Sequence, residues 1–553
     1  MLKRLTKFID ERKLLSVNQV GFLKGKSTSD HIFLLQTIIE KVVKKGKRKL
    51  FVAFVDFKKA YDTVDRDLLL RRLKHLGING LFLKNIASMY EKTKYSIKLS
   101  KGYLDALNSN LGLKQGCPLS PILFNLYIDD ISYIFDEDCD PIEFQGTRLN
   151  HFLYADDLVI ISSTEEGLQK SLDNLYSYSM KKSLSISIKK SKTMIFNLTG
   201  KFLKKDFTVN GKSLEPVHSF CYLGFDFKAS GSVKHAANVL HDKANKAMRP
   251  LFLAAAKFNI PVKTSIHLFH TYISPIALYN VENWALLSDK KIQNFSAESI
   301  FHDISDTKAD ILHRKFLKYV LGLSKSTPNL AVYGETGETP LSMKGYRLMI
   351  NFWHRVTNLP ENALAKKALL ENIALRTNWI KTVEKLLGCL GLTEAIENPM
   401  TLKRRADTSV QTKFNEFWCR TLREESSSRL QFYKATKKEL KTEEYLRIPT
   451  FAYRKAIAKI RCSDHPLEVE KGRHRNIARE NRICKLCPSR DVETEEHFLI
   501  KCTFFDRYKP KYDFLHIRDA NAFINNTDHT HLGQYLIEAL ADRKKYMDWF
   551  DLG

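Results

Sequence analysis

No stretch of the chain stays apolar for the roughly 18 residues that a bilayer-crossing helix needs, so the sequence calls for no membrane partner. Disulfide chemistry is also poorly served. Nine cysteines, an odd number scattered mostly through apolar contexts, fit a reducing compartment and exclude a disulfide framework. Met1 to Ser16 alternates Lys and Arg with Leu, Ile and Phe and reads as a helix. No apolar core and no cleavage site follow it, so it is not a signal peptide. Acidic residues are the third shortage: 62 Asp and Glu face 89 Lys and Arg, a formal net charge of +27. That excess says nothing about fold, but it points to a polyanionic partner, nucleic acid before membrane. The basic run from Lys44 to Lys49 reads as a nuclear address, a phosphate-contacting turn or a solvated loop.

What is present is the composition of a globular protein. With 44% hydrophobic and 27% charged residues over 553 positions, the chain can build cores for about three to four domains. Its organising stretch is Tyr154-Ala155-Asp156-Asp157. An alternating segment precedes it, and Leu158-Val159-Ile160-Ile161 follows. The pattern predicts a hairpin with two carboxylates at its tip. Adjacent aspartates repel, and a divalent cation resolves the repulsion, because Mg²⁺ takes one or two carboxylates together with substrate phosphates. The bland alternative is an Asp-rich turn.

Leu50 to Phe57 is a strand apolar on both faces, hence central in a sheet, and it carries Asp56 at its C-terminal end. A helix from Asp65 to Leu76, a helix from Gly80 to Lys92 and a short strand from Tyr95 to Leu99 follow. Gly112 to Pro121 is a glycine loop that feeds a helix with prolines in its first turns. Thr164 caps a further helix. Ser185–Ile188 and Thr193–Leu198 alternate like paired strands, Asn210-Gly211 is a hairpin turn, and Phe220–Phe225 is a short strand. The fold class is α+β, with the helices packed on one face of the sheet.

In this order the pieces resemble the reverse transcriptase of non-LTR (LINE-type) retrotransposons over about residues 17 to 225. Phe54 to Asp62 is similar to the first catalytic motif, Gln115 to Asn125 to the template-and-nucleotide motif, and Tyr154 to Asp157 to the second carboxylate motif. Lys189 to Thr193 resembles the lysine motif, Tyr222-Leu223-Gly224 the primer grip, and Gln19 to Phe22 with Ser27-Thr28 the fingers. The resemblance implies a right-hand polymerase that extends a DNA primer or target on an RNA template from deoxynucleoside triphosphates. It implies two Mg²⁺ ions held by Asp56, Asp156 and Asp157. It places Tyr61 under the sugar, Phe57 at the metals through its carbonyl, Lys192 near the triphosphate, and Gln115, Gly116, Pro118 and Tyr154 around the nucleotide. The family's upstream fingers segment is not matched, which reads as N-terminal truncation. Two alternatives stand beside this one. An inactive remnant would only bind RNA. A group II intron-type enzyme shares Tyr-Ala-Asp-Asp but usually has Pro where Lys114 precedes Gln115.

On this reading residues 1–49 are partial fingers, 50–230 the palm and 231–330 a helical thumb. Thr327 to Leu341 reads as a linker, and 331–470 as a helical basic linker or RNA-binding region. That region holds Lys403-Arg404-Arg405 and Lys437-Lys438, with Trp353, Trp379, Trp418, Phe432 and Tyr433 interleaved as RNA platforms or as helix-packing core. Residues 471–553 carry Cys484, Cys487, His497 and Cys502, whose spacing suits a closed tetrahedral Zn²⁺ knuckle amid Arg473, His474, Arg475, Arg479, Arg482 and Lys485. The localisation expected is nucleus and cytoplasm.

Overall fold

A computed structural model of the chain describes all residues except 92, 105–106, 285–306, 394–398, 427 and 553. The end of the expected helix at 80–92 therefore lies outside the described residues, as does the middle of the expected thumb. Two compact units form. The first holds Met1–Ala236, a short piece from Glu282, and Phe352–Glu384; the second holds Ala237–Val281, the described residues up to Asn351, and the chain from Lys385.

The first unit begins with helices α1 (Leu2–Arg12) and α2 (Thr28–Ile39), then strand β1 (Leu50–Val55). Helices α3 (Arg66–His75), α4 (Gly80–Tyr90) and α5 (Ser120–Ile128) follow, then strands β2 (His151–Tyr154) and β3 (Asp157–Ser162). Helix α6 (Glu165–Lys181) leads to β4 (Lys192–Phe196), β5 (Phe207–Val209), β6 (Lys212–Pro216), β7 (Ser219–Tyr222) and β8 (Phe225–Lys228). The helix starts follow their caps. Asp65 accepts from the N–H groups of Asp67 and Leu68, and Thr164 Oγ1 from that of Gly167; such caps are worth about 1 kcal/mol each. A six-stranded sheet runs β5-β6-β4-β1-β3-β2, antiparallel except between β4 and β6.

Strand β1 is buried throughout, as its unbroken apolar run requires of a central strand. Its alternate residues face opposite ways. Phe51, Ala53 and Val55 join a core with Leu69 and Leu73 of α3, Leu123 and Leu126 of α5, and Leu168, Leu172 and Leu175 of α6. On the other face Phe54 stacks on Phe220 at 4.4 Å and lies 5.7 Å from Tyr222, while Phe152 meets His31 of α2 at 5.1 Å. Helices are thus not confined to one face, as expected above; α2 and the β7–β8 hairpin cover the second, because β1 and its neighbours are apolar there too.

Three local expectations are corrected. Ser185–Ile188 does not pair with β4. It lies against the end of β1, where Lys58 N–H donates to Ser185 O at 2.7 Å and Ser187 N–H to Asp56 O at 2.8 Å. Phe220–Phe225 is not one strand but a hairpin that turns at Leu223 and Gly224, both left-handed. Tyr95–Leu99 divides into two-residue pieces, Lys94–Tyr95 and Lys98–Leu99, each paired elsewhere. The Asn210-Gly211 turn forms as expected, with both residues at positive φ.

After β8 the chain is helical: α7 (Val233–Lys257), α8 (Val262–Leu268), α9 (Lys308–Leu321), α10 (Asn329–Thr336), α11 (Leu341–Thr357), α12 (Leu364–Ala374), α13 (Asn378–Cys389), α14 (Pro399–Glu424), α15 (Gln431–Thr436), α16 (Phe451–Arg461) and α17 (His529–Leu552). Part of this series returns to the first unit. Phe352 and Trp379 pack on Phe33 of α2 at 5.2 and 4.7 Å, Asn372 Nδ2 donates to Thr37 Oγ1 at 2.7 Å, and Arg355 pairs with Asp30.

In the second unit the stretch expected as a linker is a buried helix, α10. Its Gly334 faces Trp418 and Tyr433 so closely that a Cβ would fall 2.2 Å from the tyrosine hydroxyl. Glu335 is buried and accepts from Arg461 at 2.8 and 3.1 Å and from Tyr445 Oη at 2.7 Å. Pro328 and Gly337 bound this helix; they do not mark a loop. Trp353, Trp379, Trp418, Phe432 and Tyr433 are all buried, so they are packing core. Lys437 is 3% exposed and paired with Glu443, which removes it from any RNA-facing set, whereas Lys403, Arg404 and Arg405 are exposed.

Candidate active site

The hairpin of β2 and β3 closes through Ala155 and Asp156, with Tyr154 opposite Asp157. Ala155 sits at φ 58°, a conformation costly for a residue with a Cβ. The fold holds it there. Buried Gln19 grips the turn from both sides, its Oε1 accepting from Ala155 N–H at 2.9 Å and its Nε2 donating to Ala155 O at 3.2 Å. Val20 N–H donates to Leu153 O at 3.1 Å, and Leu153 N–H to Asn18 O at 2.8 Å. Gly21 lies so near that a Cβ would fall 2.2 Å from Ala155 N, and Asn125 Nδ2 holds its carbonyl at 2.7 Å.

Register brings in the third carboxylate. Val55 of β1 pairs with Leu158 of β3 in an antiparallel ladder, so the next residue, Asp56, falls beside Asp157. Asp56 Oδ2 is buried without a hydrogen bond among the described residues, and its nearest cation is Lys190 Nζ at 3.5 Å. The carboxylates feel one another. Lost hydration, and secondarily Asp56, raise the pKa of Asp156. Asp157 keeps solvent access as a residue, yet lost hydration at its carboxylate and the charges of Asp156 and Asp56 hold its pKa at about 6, with Lys190 opposing. Three crowded acids, one oxygen without a partner, and a single exposed ammonium as counter-charge form a donor set that fits hard divalent cations.

Residues 1–227 match the family model described as reverse transcriptase (RNA-dependent DNA polymerase). The Pol polyprotein of the type-1 retrotransposable element R2 from Nasonia vitripennis is 27% identical over 252 residues, 44% of this chain and 24% of that protein. An R2 polyprotein from Popillia japonica is 25% identical over 360 residues, 63% of this chain and 47% of that one. Over residues 1–227 the chain is thus similar to reverse transcriptases, those of R2 retrotransposable elements among them. The chain spans about a quarter to a half of the length of these relatives. Among solved structures, a Candida tropicalis telomerase with a fragment of telomeric RNA aligns over 74% of this chain and 56% of its own, at 12% identity and a TM-score of 0.31.

Within residues 1–227 the other motif residues are distributed as follows. Tyr61 stacks on Phe124 at 4.5 Å; its hydroxyl is buried without a hydrogen bond among the described residues, and burial, then the charge of Asp156, push its pKa up. Gln115 Nε2 donates to Asp62 Oδ1 at 3.0 Å, while Gly116 and Pro118 are exposed. Beside them an open cavity of about 610 Å³ is lined by Asp62, Lys94, Gly112, Lys114 and Gln115 among others. Arg66 shapes its wall through the carbonyls of Tyr90, Leu111 and Gly112 at 3.1, 2.8 and 2.9 Å. Phe57 pairs with Ile186 next to the aspartates. Lys192, expected near the triphosphate, is tied to Glu215 at 2.6 Å; the lysine facing the carboxylates is Lys190. Tyr222 is buried and approaches His31 at 3.4 Å, while Leu223 and Gly224 form the hairpin turn. Sequence reasoning placed Gln19 and Gly21 in the fingers motif and Lys190 in the lysine motif without singling any of them out, and passed over Arg66. The clamp on Ala155 joins residues 136 positions apart, so no local pattern announces it.

In the second unit Cys484, Cys487, His497 and Cys502 converge, all buried, with their ligand atoms within 4.8 Å of one another. Cys484 and Cys502 Sγ are 3.9 Å apart, and Cys487 Sγ is 3.4 Å from His497 Nε2. Ligands about 2.0–2.3 Å from a tetrahedral Zn²⁺ stand about 3.3–3.8 Å apart, so the donor set fits zinc. A tight turn supports it, with Cys484 N–H on Asp491 O at 2.8 Å. The hydrogen bond from Cys502, then His497, pushes the Cys484 thiol down, toward the thiolate a metal takes. Arg482, expected among the nucleic-acid contacts, is held by the carbonyls of Ile477 and Val469, both at 2.9 Å.

Proposed function

We propose that the chain is an RNA-directed DNA polymerase of a non-LTR retrotransposon, extending a DNA 3′-OH on an RNA template. The observation that carries this is the β1–β3 register, which sets Asp56 beside Asp157 with Asp156 in the clamped turn. Two Mg²⁺ ions bound there would lower the pKa of the primer hydroxyl and stabilise the departing pyrophosphate. The protein's own part is placement. Asp56 Oδ2, buried without a hydrogen bond among the described residues, and the Asp156 and Asp157 carboxylates would hold the ions, and Lys190 would yield to them. Tyr61, fixed by its stack on Phe124, would exclude a 2′-hydroxyl, and Gln115 with the loop around Gly112 would receive the nucleotide and template. Residues 231–330 would act as the thumb, and the Cys484 cluster, once zinc-bound, as a folded tail for nucleic acid. The enzyme would be made in the cytoplasm and work in the nucleus. The test is primer extension on poly(rA)/oligo(dT) with Mg²⁺, comparing the wild type with Asp157→Asn. Extension that vanishes in the variant is expected. No extension by the wild type, with salt-dependent RNA binding retained, would leave an RNA-binding protein without polymerase activity.

A further inference from the structure

A second cluster of ligand-type side chains lies far in sequence from the polymerase motifs. His270 sits in the helical turn Phe269–Ile273 that continues α8, His313 on α9, and Glu338 two residues beyond the end of α10. Their ligand atoms all lie within 4.8 Å of one another. His270 Nε2 is 2.8 Å from Glu338 Oε2, and His313 Nε2 is 3.6 Å from the same oxygen.

His313 is the unexplained member. Its side chain is fully buried, yet among the described residues neither ring nitrogen has a hydrogen bond. Buried polar atoms are ordinarily satisfied, and one that is not asks what its partner is. The ring plane is fixed, because Phe269 stacks on it at 5.0 Å and 21°. Lys344 also acts on Glu338, but its ammonium is occupied by Ser274 Oγ at 3.2 Å.

We propose that His270, His313 and Glu338 form a binding site for a divalent transition metal of the zinc class, with water completing the coordination. Two imidazoles and a carboxylate suit such ions, and oxygen-loving Mg²⁺ is not expected there. The spacing agrees. Nitrogen and oxygen ligands about 2.0–2.1 Å from a tetrahedral ion stand about 3.3 Å apart, and the two distances to Glu338 Oε2 lie on either side of that value. His270 and Glu338 are partly exposed, which leaves solvent a route to the open positions. The ion would pin together the end of α8, α9 and the exit of α10. It is independent of the polymerase reading, since none of its ligands belongs to the polymerase motifs.

The test is cobalt titration of the full-length chain after chelator stripping, with zinc content measured by mass spectrometry on the protein as purified. In excess Mg²⁺, which keeps the Asp56, Asp156 and Asp157 site occupied, two equivalents of Co²⁺ are expected in the wild type, one with a thiolate charge-transfer band from the cysteine site and one without. Glu338→Gln should lose the second equivalent and keep the band. The double variant Cys484→Ser/Cys487→Ser should lose the band and keep the equivalent that lacks it, and this result stands even if Glu338→Gln fails to fold. Cobalt bound only with the thiolate band in the wild type, or no cobalt bound by the double cysteine variant, would overturn the proposal and leave His270 and Glu338 as an ordinary ion pair.

Discussion

Substituting Gly21 by alanine tests whether the loop before α2 sets the position of the aspartate turn. A Cβ at Gly21 falls 2.2 Å from Ala155 N and 2.9 Å from its Cα. Ordinary contact begins at about 3.4 Å, so one segment must retreat by about 1 Å. The Gly21 side has little room to move, because Gln19, Val20 and Asn18 are bonded to β2 and the turn, and Asn125 holds the Gly21 carbonyl. The displacement therefore passes to Ala155, Asp156 and Asp157. Misplacing groups at a reacting centre by about 1 Å costs about 100-fold in rate, or roughly 2.7 kcal/mol of barrier. Steady-state primer extension with dTTP should show kcat lowered about 100-fold, with KM changed far less, because the nucleotide loop at Gln115 is untouched. Gly25→Ala in the same loop is the control. Gly25 has φ +76° but nothing within 4 Å of a Cβ, so the change costs backbone strain of about 1 kcal/mol without pushing the turn. If Gly21→Ala extends primers within about threefold of wild type and melts at the same temperature, the loop does not position the turn.

His31 and His151 are fully buried, and desolvation lowers both to about 3. The native state stays neutral where the unfolded chain protonates near pH 6.5. Stability is therefore present above that pH and lost as pH falls below it, by about 1.4 kcal/mol per pH unit for each histidine; urea melts at pH 7.5 and 5.5 check this, and equal midpoints would refute it. Glu335→Gln leaves the Arg461 guanidinium buried without its main partner and should cost about 3–5 kcal/mol by denaturant titration. Cys487→Ser should make proteolysis of the 471–553 region insensitive to added zinc, whereas the wild type becomes protected.

The convergence of three carboxylates was legible because its evidence is local. Asp56 closes a fully apolar strand, and Asp156 and Asp157 sit between two strand-like segments. What supports them was not legible. The Gln19 clamp depends on a loop reaching a turn 136 residues away. Helix α10 carries a proline before it and glycines within and after it, so its local signals favour a loop; burial against Trp418 and Tyr433 outweighs them. Lys437 belonged to a basic pair counted toward RNA binding, yet Glu443 lets it be buried. Lys190 and Lys192 lie two residues apart, and only the path of the chain past β1 decides which one faces the aspartates.

The return of residues 352–384 onto α2 has a consequence for synthesis on the ribosome. The reverse transcriptase motifs end by about residue 227, but the apolar side of α2 around Phe33 receives Phe352 and Trp379 only later. At translation rates of about 5–20 residues per second, that face waits roughly 8–30 s for its cover after the last motif has emerged. The nascent first unit is thus complete in motifs before it is complete in core. A chain stopped at residue 227 should need a chaperone, or aggregate, although it contains the whole matched segment and all three aspartates of the cluster.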